Sequence, residues 1–189
     1  MVAQKGRVDL TVYKPIPLNG KATPELLPIA RLAMEGMIKR GDKVLEMGSG
    51  HSTVWLAILN ADVVTVENDP LWHAAVSEWL ADRHLNVTQI LCDAETIRYA
   101  ANAYPDAYFD VLFVDGEWFN RVEFMEENIQ RLKPGGWVVF DDANWASFNK
   151  IKTILADWEF FKVSGVHHRK TGISRWVLTS FYQKPVKDR

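Results

Sequence analysis

The sequence predicts an α/β fold, doubly wound, with a mostly parallel seven-stranded sheet, helices on both faces and one antiparallel strand from a C-terminal hairpin. Three observations predict it. Short apolar runs alternate with stretches of helical periodicity from residue 44 to residue 157, the pattern of βα units on a parallel sheet. A glycine turn, Gly48-Ser49-Gly50, joins the first apolar run to a helix start. Past residue 157 the alternation stops. Two β-rich runs, 158–166 and 173–183, follow there, joined by a polar turn from His167 to Gly172.

Each element has a local reason. Residues 1–20 carry Pro15, Pro17 and the Asn19-Gly20 turn signal, and read as irregular. A helix opens at Thr23-Pro24-Glu25, with Pro28 delaying or kinking its first turn. Leu26, Leu27, Ile29, Ala30, Ala33, Met34 and Met37 form its apolar stripe, and Gly41 ends it. Strand 44–47 and a helix at 52–60 come next. Strand 63–67 leads to a helix that opens at Pro70 and carries Leu71, Ala74, Ala75, Trp79 and Leu80 at helical spacing. Strand 87–92, a short helix at 95–103, strand 110–115 and a helix at 119–132 continue the series. Pro134-Gly135-Gly136 reads as a turn that delivers strand 137–141, and a helix at 146–156 closes the alternation. Residues 184–189 read as a frayed end.

The 189 residues suit one domain with a sizeable core: 1–40 an N-terminal extension and helix, 41–157 a cofactor core, 158–189 a C-terminal β-hairpin. The net charge of −2 gives no overall footprint for nucleic acid. Cys92 is the only cysteine, which excludes an internal disulfide and fits a reducing compartment. It reads as a strand-end packing residue rather than a nucleophile. No apolar run reaches the roughly 20 residues that span a bilayer. The N-terminus has Lys5, Arg7 and Asp9 but no apolar signal region, so a cytoplasmic location is expected.

Ligands in such sheets bind outside the carboxyl ends of the strands. That rule puts Glu46, Glu67, Asp93, Asp115, Asp141 and Asp142 on one rim. Gly48 and Gly50 allow the backbone close to a ligand, and the N–H groups of the helix behind them favour an anion. A nicotinamide dinucleotide would offer a pyrophosphate there. S-adenosylmethionine (SAM) offers a carboxylate together with an amine and a sulfonium. Glu46 suits the cationic ligand and would repel a pyrophosphate. Position 53 is Thr where G-x-G-x-x-G has its third glycine. These features lean toward SAM, with an NAD-dependent oxidoreductase as the alternative.

Glu46-Met-Gly-Ser-Gly-His-Ser-Thr53 resembles the first motif of the class I SAM-dependent methyltransferases. Val66-Glu-Asn-Asp-Pro70 looks like their second-strand end, and Leu91-Cys-Asp-Ala94 is similar to the stretch whose Asp meets the adenine amine. Phe109–Gly116 resembles the fourth-strand motif, and Leu132–Asp142 the LKPGG-strand element. The resemblance covers roughly residues 40–145, in the family's order. It implies SAM as cofactor, held by Glu46, Gly48, Ser49, Gly50, Glu67, Asn68, Asp93, Ala94 and Asp115. Glu67 would meet both ribose hydroxyls, or be a solvated strand-end acid. Asp93 would meet the adenine, or cap the helix near Glu95. His51 would touch the carboxylate end, or be an exposed histidine.

The acceptor side is expected from Asp115, Asp141 and Asp142. Three carboxylates on neighbouring strand ends could hold Mg²⁺, as in the cation-dependent small-molecule O-methyltransferases these positions resemble. That family shows Asp-Asn where this chain has Asp141-Asp142, and a Lys where it has Trp118; a related branch has His there. The alternative for Asp142 is a cap on the following helix. Without a metal, the proton acceptor would be Asp115, Asp141, or a histidine of the pair His167 and His168. Trp118 and Trp145 follow the fourth and fifth strand ends, as an aromatic wall for a planar acceptor or as packing over the sheet edge. Trp55, Trp72 and Trp79 read as helix-face packing. No Asn/Asp-Pro-Pro-aromatic motif and no Pro-Cys nucleophile occur at the fourth strand. The expected activity is methyl transfer to a small molecule at oxygen, with SAM binding without turnover as the rival.

Overall fold

A computed structural model describes residues 24–116, 119–168 and 174–186. The expectations for residues 1–20, for Trp118, for the tip of the hairpin turn and for the last three residues lie outside these.

Along the chain, α1 (Pro28–Met37) precedes β1 (Lys43–Met47), α2 (His51–Ile58), β2 (Asp62–Glu67), α3 (Pro70–Ala81) and β3 (Thr88–Leu91). Then come β4 (Phe109–Val114), α4 (Arg121–Asn128), β5 (Leu132–Phe140), α5 (Asn149–Ile154), β6 (Glu159–His168) and β7 (Ser174–Gln183). The seven strands form one sheet in the order β3-β2-β1-β4-β5-β7-β6. β1 to β5 are mutually parallel; β7 runs antiparallel to β5 and to β6. Strand order reverses between β1 and β4, which opens the ligand crevice of such sheets at their carboxyl ends.

The inner strands are apolar without alternation because both faces are covered. Val44, Val63, Val111, Phe113, Val139 and Phe181 pack toward α1, α2 and α3. Leu45, Val64, Leu112, Val138, Phe140 and Tyr182 pack on the opposite face, under α4 and α5. Among the described residues no helix is long and apolar enough to cross a membrane.

The structure corrects five local expectations. The first helix begins at Pro28 rather than at Thr23, because proline's fixed φ and missing N–H suit the first helical position. Its stripe is Leu27, Ala30 and Met34; Ile29 points outward and is 52% exposed. The helix at 95–103 is only a 3₁₀ turn, Ile97–Tyr99. Asp93 Oδ1 takes the N–H groups of Glu95 and Thr96 and the Thr96 hydroxyl, which closes a tight turn first. The helix at 119–132 is α4 followed by a 3₁₀ turn at Ile129–Arg131, and the one at 146–156 is a 3₁₀ turn, Ala146–Phe148, followed by α5. Pro134-Gly135-Gly136 is not a turn before a strand but an irregularity inside β5. Gly135 has φ 78°, and the register against β4 slips between Phe109 and Val111.

Candidate active site

The turn after β1 is built against the end of β4. Gly48 has φ 87°, and a Cβ there would lie 2.5 Å from Gly116 Cα. The Asp115 N–H donates to Met47 O at 3.2 Å, and the Gly48 N–H to Val66 O at 2.8 Å. So the turn and the β4 end touch backbone to backbone. Gly50 is different: its φ of 170° is ordinary extended backbone, and a Cβ would meet only the Trp72 ring, at 3.7 Å. Gly50 is itself buried, with the Trp72 indole over it. Trp72 Nε1–H donates to Ser49 O at 2.5 Å, and its ring stands edge-on to Trp79. His51 lies 5.0 Å from the Trp79 ring, so it packs on an indole beside the turn.

Glu46 lies wholly buried beneath this turn. Its Oε2 accepts from Thr53 Oγ1 at 2.6 Å, and Thr53 Oγ1 in turn accepts the Gly50 N–H at 2.8 Å. Thr53, the residue in place of a third glycine, therefore ties the acid to the turn. Oε1 of Glu46 has no hydrogen-bond partner among the described residues. Burial pushes the Glu46 carboxyl up to about 7, against the hydroxyls of Ser52, Thr53 and Thr65. The folded chain thus holds a proton that the unfolded chain releases from about pH 4.5 upward. Stability falls as pH rises from about 4.5 to 7 and then levels. Glu46→Gln is expected to flatten that slope, leaving the part that Asp115 and Asp141 add, and to raise stability at pH 8 by roughly 2–3 kcal/mol, read from urea midpoints across pH. A variant that keeps the wild-type slope would refute the assignment.

Glu67, at the end of β2, is almost fully enclosed and its oxygens are already engaged. Oε1 accepts the N–H groups of Asn68 (2.8 Å) and Asp69 (2.9 Å). Oε2 accepts the N–H and the hydroxyl of Ser49, at 3.0 and 3.2 Å. Three of these donors are backbone and fixed; the Ser49 hydroxyl is a rotor that can yield its place. The bond from the Cys92 N–H to Glu67 O, 3.0 Å, sets the end of β3 beside it. Asp93 is exposed, and its Oδ1 holds the turn described above. Ala94 O accepts from Asn120 Nδ2 at 2.6 Å, which pins the loop after β3 to the start of α4. Burial first, then the carboxylates of Asp93 and Glu67, push the Cys92 thiol up to about 11, so it is no thiolate nucleophile at neutral pH.

The acceptor-side acids have partners that the sequence reading missed. Arg121, in the first turn of α4, is buried and bridges two strand ends. Its Nε–H donates to Gly116 O (2.6 Å), Nη1 to Asp141 O (2.8 Å) and Nη2 to Asp115 O (3.0 Å), with Asp115 Oδ1 3.5 Å from Nη2. Two further partners come from β7. Thr179 Oγ1 donates to Asp141 Oδ1 at 2.5 Å, and Arg175 pairs with Asp142. Asp142 sits at φ 53°, which turns it toward β7, so it does not cap the following helix. Asp141 and Asp142 are enclosed; Asp115 keeps about a quarter of its side chain exposed (27%). Burial and the Asp141 charge raise the Asp115 carboxyl well above the usual range, with Arg121 acting the other way. Burial likewise raises Asp141 to about 6, against the Thr179 hydrogen bond.

This donor set does not fit Mg²⁺. The cation needs several oxygens converging on one point. Asp142 turns to a guanidinium and Asp141 to a hydroxyl, and Arg121 already lies beside Asp115. Among the described residues no three acidic, His or Cys side chains converge to hold a metal.

Trp145, three residues after Asp142, is 53% exposed. Trp55 and Trp79 are buried as helix-face packing, but Trp72 also seals the glycine turn. His167 pairs in register with Arg175 near the same rim. Only Arg121 left a trace in the sequence: a cation in a first helical turn opposes the helix dipole, so it needs another reason to be there.

Residues 45–143 match a protein family described as a methyltransferase domain. No curated protein sequence matches the chain. Among solved structures it is similar to an O-methyltransferase from Bacillus cereus in complex with SAH. There the TM-score is 0.68 and the identity 16%, over 92% of this chain and 87% of that one. It is also similar to the O-methyltransferase TomG from Streptomyces achromogenes, involved in tomaymycin synthesis and solved with SAM. That match has a TM-score of 0.63 and 20% identity, over 82% of this chain and 78% of that one. A SAM-dependent methyltransferase from Methanosarcina mazei matches over 86% of this chain and 99% of its own, with TM-score 0.62 and 14% identity. At such identities these structures speak for the fold.

Proposed function

Because this chain belongs to the methyltransferase-domain family, on the class I SAM-dependent fold, we propose that it methylates a small molecule at oxygen. The observation that carries the reading is the Asp115 carboxylate, 27% exposed beside the glycine turn, while Asp141 and Asp142 next to it are enclosed against Thr179 and Arg175. The O-methyltransferases among the similar structures support it.

The residues present fit the cofactor. Gly48 is only partly covered, Glu46 has an unpartnered buried oxygen beneath the turn, and Asp93 stands exposed at the next strand end. In this reading Gly48, Ser49 and Gly50 face the amino-acid end, with Glu46 supplying the negative field from below. Glu67 receives the ribose hydroxyls as the Ser49 hydroxyl turns away, and Asn68 flanks them. Asp93 and Ala94 border the adenine. SAM supplies an electrophilic methyl on a sulfonium, and displacement by the acceptor oxygen leaves S-adenosylhomocysteine. Asp115 receives the hydroxyl proton; Asp141, held by Thr179, sets the charge beside it. Arg121 keeps Asp115 aimed at the opening. Trp145 flanks a planar acceptor.

The test is transfer of labelled methyl from SAM to a panel of phenols, catechols and hydroxy acids, with and without EDTA. Asp115→Asn is expected to lower turnover by about 100-fold or more while S-adenosylhomocysteine affinity changes only a few-fold. Equal loss of both would make Asp115 a cofactor residue alone. Label appearing only on amines would overturn the oxygen assignment, and loss of activity in EDTA the metal-free reading.

A further inference from the structure

β6 ends the sheet and, among the described residues, pairs only with β7. It is ten residues long and carries apolar side chains in the open: Phe160 is 63% exposed, Phe161 39% and Val166 51%. Natural edge strands are usually short, charged or bulged, because a long apolar edge is a template for another strand. This strand has one lysine, Lys162, and no proline.

The strand is also complementary to itself. An antiparallel pair related by a two-fold axis through Val163 sets Phe160 against Val166 and Phe161 against Gly165. It sets Lys162 against Ser164 and Glu159 against His167. Directly opposed residues share a face, and each pair here does so by its even spacing about Val163. Two large exposed apolar side chains meet on one face. On the other face, Phe161 lies opposite a glycine that leaves room for its ring, next to Leu27, which a Cβ on Gly165 would approach at 3.5 Å. At both ends an acid meets a histidine. Moving the axis to Ser164 sets Phe160 against His168 and Phe161 against His167, and the match is lost. Phe161 is held flat on Phe181, at 4.5 Å and 6°, so its ring is already ordered before pairing. Leu27, just before α1, covers Gly165, and α1 itself carries the exposed Ile29 and Leu32.

We propose that β6 is a homodimer interface, in which two copies of this chain join edge to edge about Val163 into one continuous sheet. This stands independently of the assigned activity. The experiment is sedimentation velocity on the full chain. The wild type is expected to sediment at twice the monomer mass at micromolar concentration. His167→Glu places glutamate opposite Glu159 twice per dimer and is expected to weaken association at least tenfold. Glu159→Lys combined with His167→Glu restores an opposite-charge pair and is expected to recover the dimer. Val163→Cys is expected to form a disulfide to itself on mild oxidation faster than Ser164→Cys, because only position 163 faces its own copy. Circular dichroism of each variant separates lost pairing from lost fold. A monomeric wild type overturns the proposal, and so does a dimer indifferent to these charges or one that cross-links equally at 163 and 164.

Discussion

Gly48→Ala is expected to abolish stable folding, while Gly50→Ala, two residues on, leaves stability within about 1 kcal/mol of the wild type. The two glycines share a turn but not a reason. At Gly48 the φ of 87° alone costs an L-residue roughly 1–2 kcal/mol. The added methyl would sit 2.5 Å from Gly116 Cα and 2.9 Å from its nitrogen. Those are backbone atoms of a strand end fixed by parallel pairing on both sides, so neither loop can retreat without breaking the sheet. Gly116→Ala should fail for the reciprocal reason, since its methyl would lie 2.9 Å from Met47 Cγ and 3.2 Å from Gly48 N. At Gly50 the backbone is extended and the nearest atom is the far edge of Trp72. Thermal melts of the three variants decide the matter. A folded Gly48→Ala with an unchanged midpoint would mean that the loops adjust freely.

Arg121→Met should lose about 3–5 kcal/mol, the penalty of removing one partner from a buried charge arrangement. For a chain of this length that lowers the melting midpoint by roughly 6–20 °C. The loss has two sources. Three strand-end carbonyls, of Asp115, Gly116 and Asp141, lose their donor, and Asp115 and Asp141 lose their shared cation. Methionine keeps much of the side-chain volume, so packing contributes little. The sign with pH is diagnostic. Without Arg121 the folded carboxylates bind protons still more tightly, so part of the lost stability returns as pH falls toward about 6, where Asp141 takes up its proton in the wild type as well. Adding Asp115→Asn should relieve part of the defect, because these sites touch and their effects do not add. A strictly additive pair would assign Arg121 to packing alone.

The two kinds of feature differ in how far the sequence exposed them. Strands buried on both faces need unbroken apolar runs, so β1, β2 and β4 were plain from Val44-Leu45, Val63-Val64 and Val111–Val114. The final hairpin was plain from two β-rich runs without a helix between them. Helix lengths were less legible. A single carboxylate, Asp93, captured the donors that a helix over 95–103 would have used, and no periodicity reports such a capture. Proline and two glycines at 134–136 advertise a turn equally whether they precede a strand or kink one. The rim acids were visible as residues at strand ends, but their partners were not. Arg175 and Thr179 reach Asp142 and Asp141 across 33 and 38 residues, and a hydrogen bond between strands leaves no spacing rule. The filled oxygens of Glu67 were hidden for a related reason, since three of their donors are main-chain groups common to every residue.

The late place of β7 in the chain gives the molecule an order of assembly. β1 to β5 can pair as each is synthesised, and they complete the half that holds the glycine turn. Asp141 and Asp142 arrive with β5, yet their counterparts arrive only with β7. Pairings of this span close slowly, after local structure has formed. Until the hairpin docks, Asp142 lacks its guanidinium and Asp141 its hydroxyl donor, and the edge of β5 lies open. The rim around Asp141 and Asp142 is therefore the last part to form during synthesis and the first to be lost when the hairpin detaches. A nascent or partly opened chain would keep the glycine-turn half while lacking a finished rim beside it.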